Sequence, residues 1–276
     1  MDRGYVLHSY PYRETSLILQ AWTEKHGRLG LVAKGARRPK SAHRSLLVPF
    51  QPLALDWFGR GELRTLKTAE PTVPATPLAG QSLMAAFYLN ELLLKLTHRD
   101  DPHEGLFVAY DAAITELRRA SRKTGDRPLV PPGGTSGLSP VAAEAANGSR
   151  GVEIILRRFE LRMLQELGYA VELAREAGSG APIDAARDYW YVAERGPVRA
   201  EGEGVPSNAV RLRGLTLIDL ERGRLEDAAT VAQAKHLMRL LINHSLNGQE
   251  LATRALVRDL MTLTPDPSPK GEGSAS

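Results

Sequence analysis

In the first part of the chain, apolar and polar positions alternate with a period of two, the pattern of strands with one buried face. Five runs carry it: Tyr5–Tyr10, Ser16–Thr23, Arg28–Lys34, Gln51–Phe58 and Glu62–Thr68. Glu24-Lys25-His26-Gly27 joins the second run to the third, and Gly59-Arg60-Gly61 joins the fourth to the fifth. Both joints offer a glycine where a tight hairpin needs a positive φ. Closure removes exposed strand edges, so the pattern predicts a small barrel of OB type rather than an open sheet.

Pro71, Pro74 and Pro77 end the strand region, and beyond them the period changes to 3.6. Leu83, Ala86, Phe87, Asn90, Leu93, Leu94 and Thr97 share one helical stripe, and Leu106, Tyr110, Ala113, Ile114 and Leu117 share the next. Residues 121–150, rich in Pro, Gly, Ser and Ala, predict a flexible insertion. A strong helix is expected from Val152 to about Leu167, with Ile155, Phe159, Met163, Leu164 and Leu167 inward and Gly168 as its C-cap glycine. Residues 176–204 predict loops with a small hairpin, Tyr189–Val192 and Pro197–Ala200 around Glu194-Arg195-Gly196. Two more helices are expected, from about Asp227 to Leu246, with Leu237, Leu240 and Leu241 inward, and from about Gln249 to Thr262; residues 263–276 should be disordered. The chain is thus predicted to be α+β, with a barrel domain over 1–76 and an α-helical domain over 77–262.

With 276 residues, 42% hydrophobic and 25% charged, the chain has the makeup of a soluble globular protein of two domains. No apolar run reaches the roughly 18 residues of a membrane span, so no membrane association and a cytoplasmic location are expected. The absence of Cys excludes disulfides, thiolate metal sites and cysteine nucleophiles. The net charge of +4 is unevenly spread: residues 1–80 hold 12 Lys/Arg against 6 Asp/Glu, and the remainder is slightly acidic. The basic end should face a polyanion.

The positive feature is Gly35-Ala36-Arg37-Arg38-Pro39-Lys40-Ser41, directly after the third strand. Lys34, Arg37, Arg38, Lys40 and Arg44 come without an intervening carboxylate, and Arg13 and Arg28 lie in adjoining strands and turns, so phosphate-backbone binding is expected there. Tyr10, Tyr12, Trp22, Phe50, Trp57 and Phe58 are candidates to stack on unpaired bases, although alternation turns several inward. Gly35 to Lys40-Ser41 ends like a phosphate-binding loop, but Pro39 stands where that motif needs glycine and offers no N–H. His98, Asp100, Asp101 and His103 form the only local cluster of metal-ligand types, and Asp101 before Pro102 reads more simply as a helix N-cap. No G-x-S-x-G elbow is present. On the central helix, Arg157, Arg158 and Arg162 are either a solvated face beside Glu160 and Glu166 or an anion-binding one.

The N-terminal block GYVLHSYPYRETSLILQAWTEKHGRLGLVAKGARRPKS, followed by Pro49-Phe50, resembles the barrel of the RecO family of recombination mediators. The resemblance continues through Tyr88-Leu89-Asn90-Glu91-Leu92, Leu156-Arg157-Arg158-Phe159-Glu160, Leu167-Gly168-Tyr169 and Thr253-Arg254. It implies an OB-fold domain, then an α-helical domain, and no enzymatic turnover. It further implies binding of single- and double-stranded DNA, annealing of complementary strands, and joint action with RecR to replace single-strand-binding protein by RecA; whether RecF takes part stays open. Through it, Lys34–Arg44 corresponds to a DNA-binding loop, and Arg157 and Arg158 to central-helix arginines whose face in some relatives receives the acidic C-terminal tail of single-strand-binding protein; with Arg162, one turn from Arg158, they are the partner-binding residues expected here. Association with the nucleoid would follow. Many relatives carry a four-cysteine zinc site after the Leu-Gly-Tyr segment; Val171–Gly202 has no thiolate, so neither zinc nor any other cofactor is expected, and packing of Tyr189, Trp190 and Tyr191 should hold that region. The alternative is a non-catalytic interaction module whose basic face binds an acidic protein partner; a hydrolase would need a carboxylate site the sequence does not locate.

Overall fold

The computed structural model describes residues 1–74, 76–125, 140–169, 171–201 and 204–254. Five strands, β1 (Asp2–Tyr12), β2 (Ser16–Thr23), β3 (Gly27–Ala33), β4 (Leu53–Phe58) and β5 (Leu63–Pro71), close into a barrel in the order β1-β2-β3-β5-β4, with a short helix α1 (His43–Leu46) between β3 and β4. All pairs are antiparallel except β3 with β5. This is the predicted OB barrel. Val6, Leu19, Ala21, Leu29, Leu31, Ala33, Leu53, Leu55 and Leu66 fill its interior, the inward half of the period-two pattern.

Over Gly4–Leu7, β1 breaks that pattern because both of its faces are buried there. A bulge between Val6 and His8 shifts the register. Val6 points into the barrel, whereas Tyr5 and Leu7 join Trp22 in a second core with the helices.

That second core is built on α2 (Gly80–Leu96), α3 (Glu104–Gly125) and α4 (Pro140–Glu166). Tyr5 meets Tyr110 edge-on at 5.0 Å. The Asn90 side chain donates to the carbonyl of Leu7 at 2.8 Å and accepts from the Tyr110 hydroxyl at 2.6 Å. The α3 stripe is buried throughout, and on α4 so are Ile155, Phe159, Met163 and Leu164, with Leu167 half-buried. On α2, Phe87 leaves the stripe for the surface, where it packs edge-on against Phe50 at 5.0 Å. α4 ends as predicted: Gly168 has φ +79°, its amide donates to Gln165, and the Tyr169 amide reaches back to Leu164.

α3 and α4 extend into the 121–150 segment, to Gly125 and from Pro140; residues 126–139 lie outside the described residues, as does the tail 263–276. α3 starts at Glu104, so Asp101 does not cap it; its carboxylate contacts His103 at 3.1 Å instead.

The predicted hairpin forms as β6 (Asp188–Val192) and β7 (Gly196–Arg199), and a third strand, β8 (Ala209–Arg213), pairs on the other side of β6. Neither β8 nor the following α5 (Gly214–Glu221) was foreseen, since both are too short to establish a period. Next comes α6 (Ala228–Ser245), capped by Asp227, whose side chain accepts from the Thr230 amide at 2.9 Å. Of the last expected helix, residues 252–254 are described and helical.

Candidate nucleic-acid interface

The basic loop leaves β3 at Gly35, whose φ of +69° allows the chain to turn at once. Successive tight turns follow, Arg38 amide to Gly35 carbonyl at 3.1 Å and Ser41 amide to Arg38 carbonyl at 3.0 Å. The loop is fixed to the β1–β2 turn: the Arg37 amide donates to the Thr15 carbonyl at 2.9 Å, and its guanidinium lies 3.4 Å from the Glu14 carbonyl. Arg13, in that turn at φ +51°, lays its guanidinium 5.2 Å from the centre of the Tyr12 ring. One end of the barrel therefore gathers Arg13, Lys34, Arg37, Arg38, Lys40 and Arg44, all exposed. Among the described residues none of the six has a carboxylate within ion-pair distance. Clustered like charges repel, and a polyanion relieves that repulsion while releasing its own counterions.

Arg28 does not belong to this cluster. It leaves β3 at the opposite end, where its guanidinium donates to the Thr97 carbonyl at 2.8 Å and to the Gln20 side chain at 3.2 Å. Burial, then the nearby Arg99 charge, lowers its pKa. Arg28 joins the barrel to the α2–α3 turn, and that position depends on β-register, which charge spacing does not reveal.

The aromatic candidates divide. Trp22 and Phe50 are core residues, and Trp57 packs inward with its edge-on partner His26 at 5.1 Å. Tyr10 and Phe58 are 48% and 57% exposed.

The three arginines of α4 also divide. Arg157 is turned into the core, 7% exposed, and donates at 2.8 Å to Glu160, itself 1% exposed. The Tyr88 hydroxyl donates to the same carboxylate oxygen at 2.7 Å. Burial raises the Glu160 pKa against the opposing pull of Arg157. Arg157 therefore cannot present itself to a partner on the surface, contrary to the role the resemblance implies for it and to the outward helix face expected of it. Arg158 and Arg162 do reach the outer face, paired with Glu116 at 3.3 Å and Glu166 at 2.5 Å. Arg254 is a residue the charge pattern did not single out: it lies over the Tyr88 ring at 5.7 Å and donates to Asn243 at 2.6 Å.

In the segment after the Leu-Gly-Tyr motif, which has no thiolate, a carboxylate holds the loop. Glu176 accepts from Arg199 at 2.6 Å, Ser179 at 2.8 Å and the buried Tyr189 hydroxyl at 3.2 Å, and the Arg199 bond foremost lowers its pKa. Among the described residues no group of three or more His, Cys, Asp or Glu is placed to hold a metal ion, and no helix is long and apolar enough to cross a membrane.

Strand order and barrel closure make this an oligonucleotide-binding-fold protein with an appended helical domain. Residues 1–75 match the family model described as Recombination protein O N terminal, and residues 144–255 that described as Recombination protein O C terminal. The chain is 44% identical over 261 residues to the DNA repair protein RecO of Azoarcus sp. (strain BH72), covering 94% of this chain and 96% of that protein. It is 39% identical over 268 residues to the DNA repair protein RecO of Laribacter hongkongensis, covering 95% and 96%. The chain belongs to the RecO family, and its role lies in DNA repair and recombination.

Proposed function

We propose that this protein is a non-enzymatic recombination mediator that binds single- and double-stranded DNA through Arg13, Lys34, Arg37, Arg38, Lys40 and Arg44, and anneals complementary strands. The observation that carries the reading is six exposed cations at one barrel end, without carboxylate partners among the described residues. A surface that contacts phosphates without reading bases offsets the repulsion between two strands whatever their sequence. With RecR, it would help RecA replace single-strand-binding protein, whose acidic tail would dock on the outer face of α4 at Arg158 and Arg162. Exposed ion pairs such as those with Glu116 and Glu166 are worth about 0–1 kcal/mol, so a carboxylate-ended peptide can exchange for them. Annealing of complementary oligonucleotides coated with single-strand-binding protein, followed across a salt series, tests the reading. Acceleration that fades with salt is expected; no acceleration at any salt would overturn it.

A further inference from the structure

Between α1 and the connector from β5 to α2 lies a cleft of about 450 Å³, in the size range of small ligand pockets. Leu46 lines it from α1, Pro71, Val73 and Pro74 line it from the connector, and Gln51, 4% exposed, ties the two together. The Gln51 side chain donates to the Val73 carbonyl at 2.9 Å, and the Thr72 amide donates to the Pro52 carbonyl at 3.1 Å, so the connector wall is fixed before any partner arrives. The Gln51 side-chain oxygen accepts from no described residue, which leaves an open acceptor on a buried polar side chain at the cleft.

Cations adjoin both walls. Arg44 on α1 directly precedes Ser45, which lines the cleft, and Arg122 on α3 donates at 2.8 Å to the hydroxyl of Thr76, two residues past Pro74. Arg119, three residues before Arg122, is exposed as well, and among the described residues none of these three arginines has a carboxylate within ion-pair distance. Glu70, beside Pro71, is the one acidic residue next in sequence to the lining.

We infer that this cleft receives an extended acidic segment of a partner protein. One bulky apolar side chain enters it, a backbone amide of the segment donates to the Gln51 oxygen, and flanking carboxylates reach Arg44 and Arg122. The occupant is protein rather than nucleic acid because the lining is aliphatic and offers no aromatic ring on which a base could stack, whereas an apolar wall between cations matches carboxylates around an apolar anchor. Arg44 also belongs to the phosphate-binding cluster, so the segment and DNA compete for it; only that competition rests on the nucleic-acid reading.

The test is an NMR titration of the full chain, followed at the Leu46 and Val73 methyls, with an end-blocked peptide that carries Phe between aspartates, with its Ala counterpart, and with oligo-dT. The Phe peptide should shift these signals and bind about 10- to 150-fold more tightly than the Ala peptide. Val73→Asp and Arg122→Glu should each weaken it by about tenfold or more with the urea midpoint unchanged, whereas Arg158→Glu with Arg162→Glu should leave it bound. Equal binding of the two peptides, no shift with either, or shifts with oligo-dT alone would overturn the docking site. A Phe peptide that binds and is not displaced by oligo-dT would keep the site and overturn the shared use of Arg44.

Discussion

Arg37 donates its backbone amide to the carbonyl of Thr15 at 2.9 Å, so the loop after β3 is fixed to the turn between β1 and β2. Two segments far apart in sequence thereby pool their cations, and the cluster's geometry is set by main chain rather than by flexible side chains.

If that cluster grips phosphates, Arg37→Ala, Arg38→Ala and Lys40→Ala together should flatten the plot of log K against log salt. The expected change is about 2 units for single strands and about 2.7 for duplex. The main-chain bond to Thr15 survives all three changes, so thermal stability should hold. An unchanged slope would move the site elsewhere.

The two arginine environments on α4 should separate in stability. Removing Arg157 leaves the Glu160 carboxylate buried without its counter-ion, so Arg157→Ala should lower unfolding free energy by about 3–5 kcal/mol in urea titration. Arg158→Ala should cost no more than about 1 kcal/mol. For the same reason a test of tail-peptide docking should reverse only the outer charges: Arg158→Glu with Arg162→Glu should abolish peptide binding while the fold remains stable, and continued binding would clear that face of the role.

Gly27 turns the chain into β3 at φ +67°, and a Cβ there would overlap the Asp101 carbonyl. Gly27→Ala should therefore destabilise by more than about 1 kcal/mol, read as a fall in the urea midpoint. Gly61→Ala, also at positive φ but with open space around it, should cost less.

At the start of α6, the Arg213 guanidinium and then the Thr230 amide hold the Asp227 carboxyl down to about 2. A folded carboxyl that is the stronger acid contributes stability that is fully present above its unfolded value of about 3.9 and is lost as pH falls through the folded one. Melting temperature should fall less steeply between about pH 4 and pH 2 in Asp227→Asn than in the parent.

The barrel was legible because the inward halves of β2 and β3 repeat without interruption: Leu19 and Ala21, then Leu29, Leu31 and Ala33. The basic loop was legible for a different reason, since five cations without a carboxylate form a local pattern. Arg157 and Arg28 were misread because their surroundings are supplied from far along the chain. Glu160 is one turn away, but Tyr88 and Arg254, which complete that site, are not; Arg28 is held by Thr97. The Glu176 clasp escaped notice likewise: it draws on Ser179, Tyr189 and Arg199, and its sequence shows only an acidic residue in a glycine-rich stretch.

Tyr5, Leu7 and Trp22 belong to the barrel by chain position and to the helices by packing. A barrel cut free near Thr76 would bare those three side chains to water and lose the anchor that Asn90 gives to the Leu7 carbonyl. The boundary visible along the sequence is therefore no line of cleavage in the folded molecule. Barrel and helices should lose their structure in one calorimetric transition, and a force that moves the helical part would be felt first at β1, the strand that carries Tyr5 and Leu7.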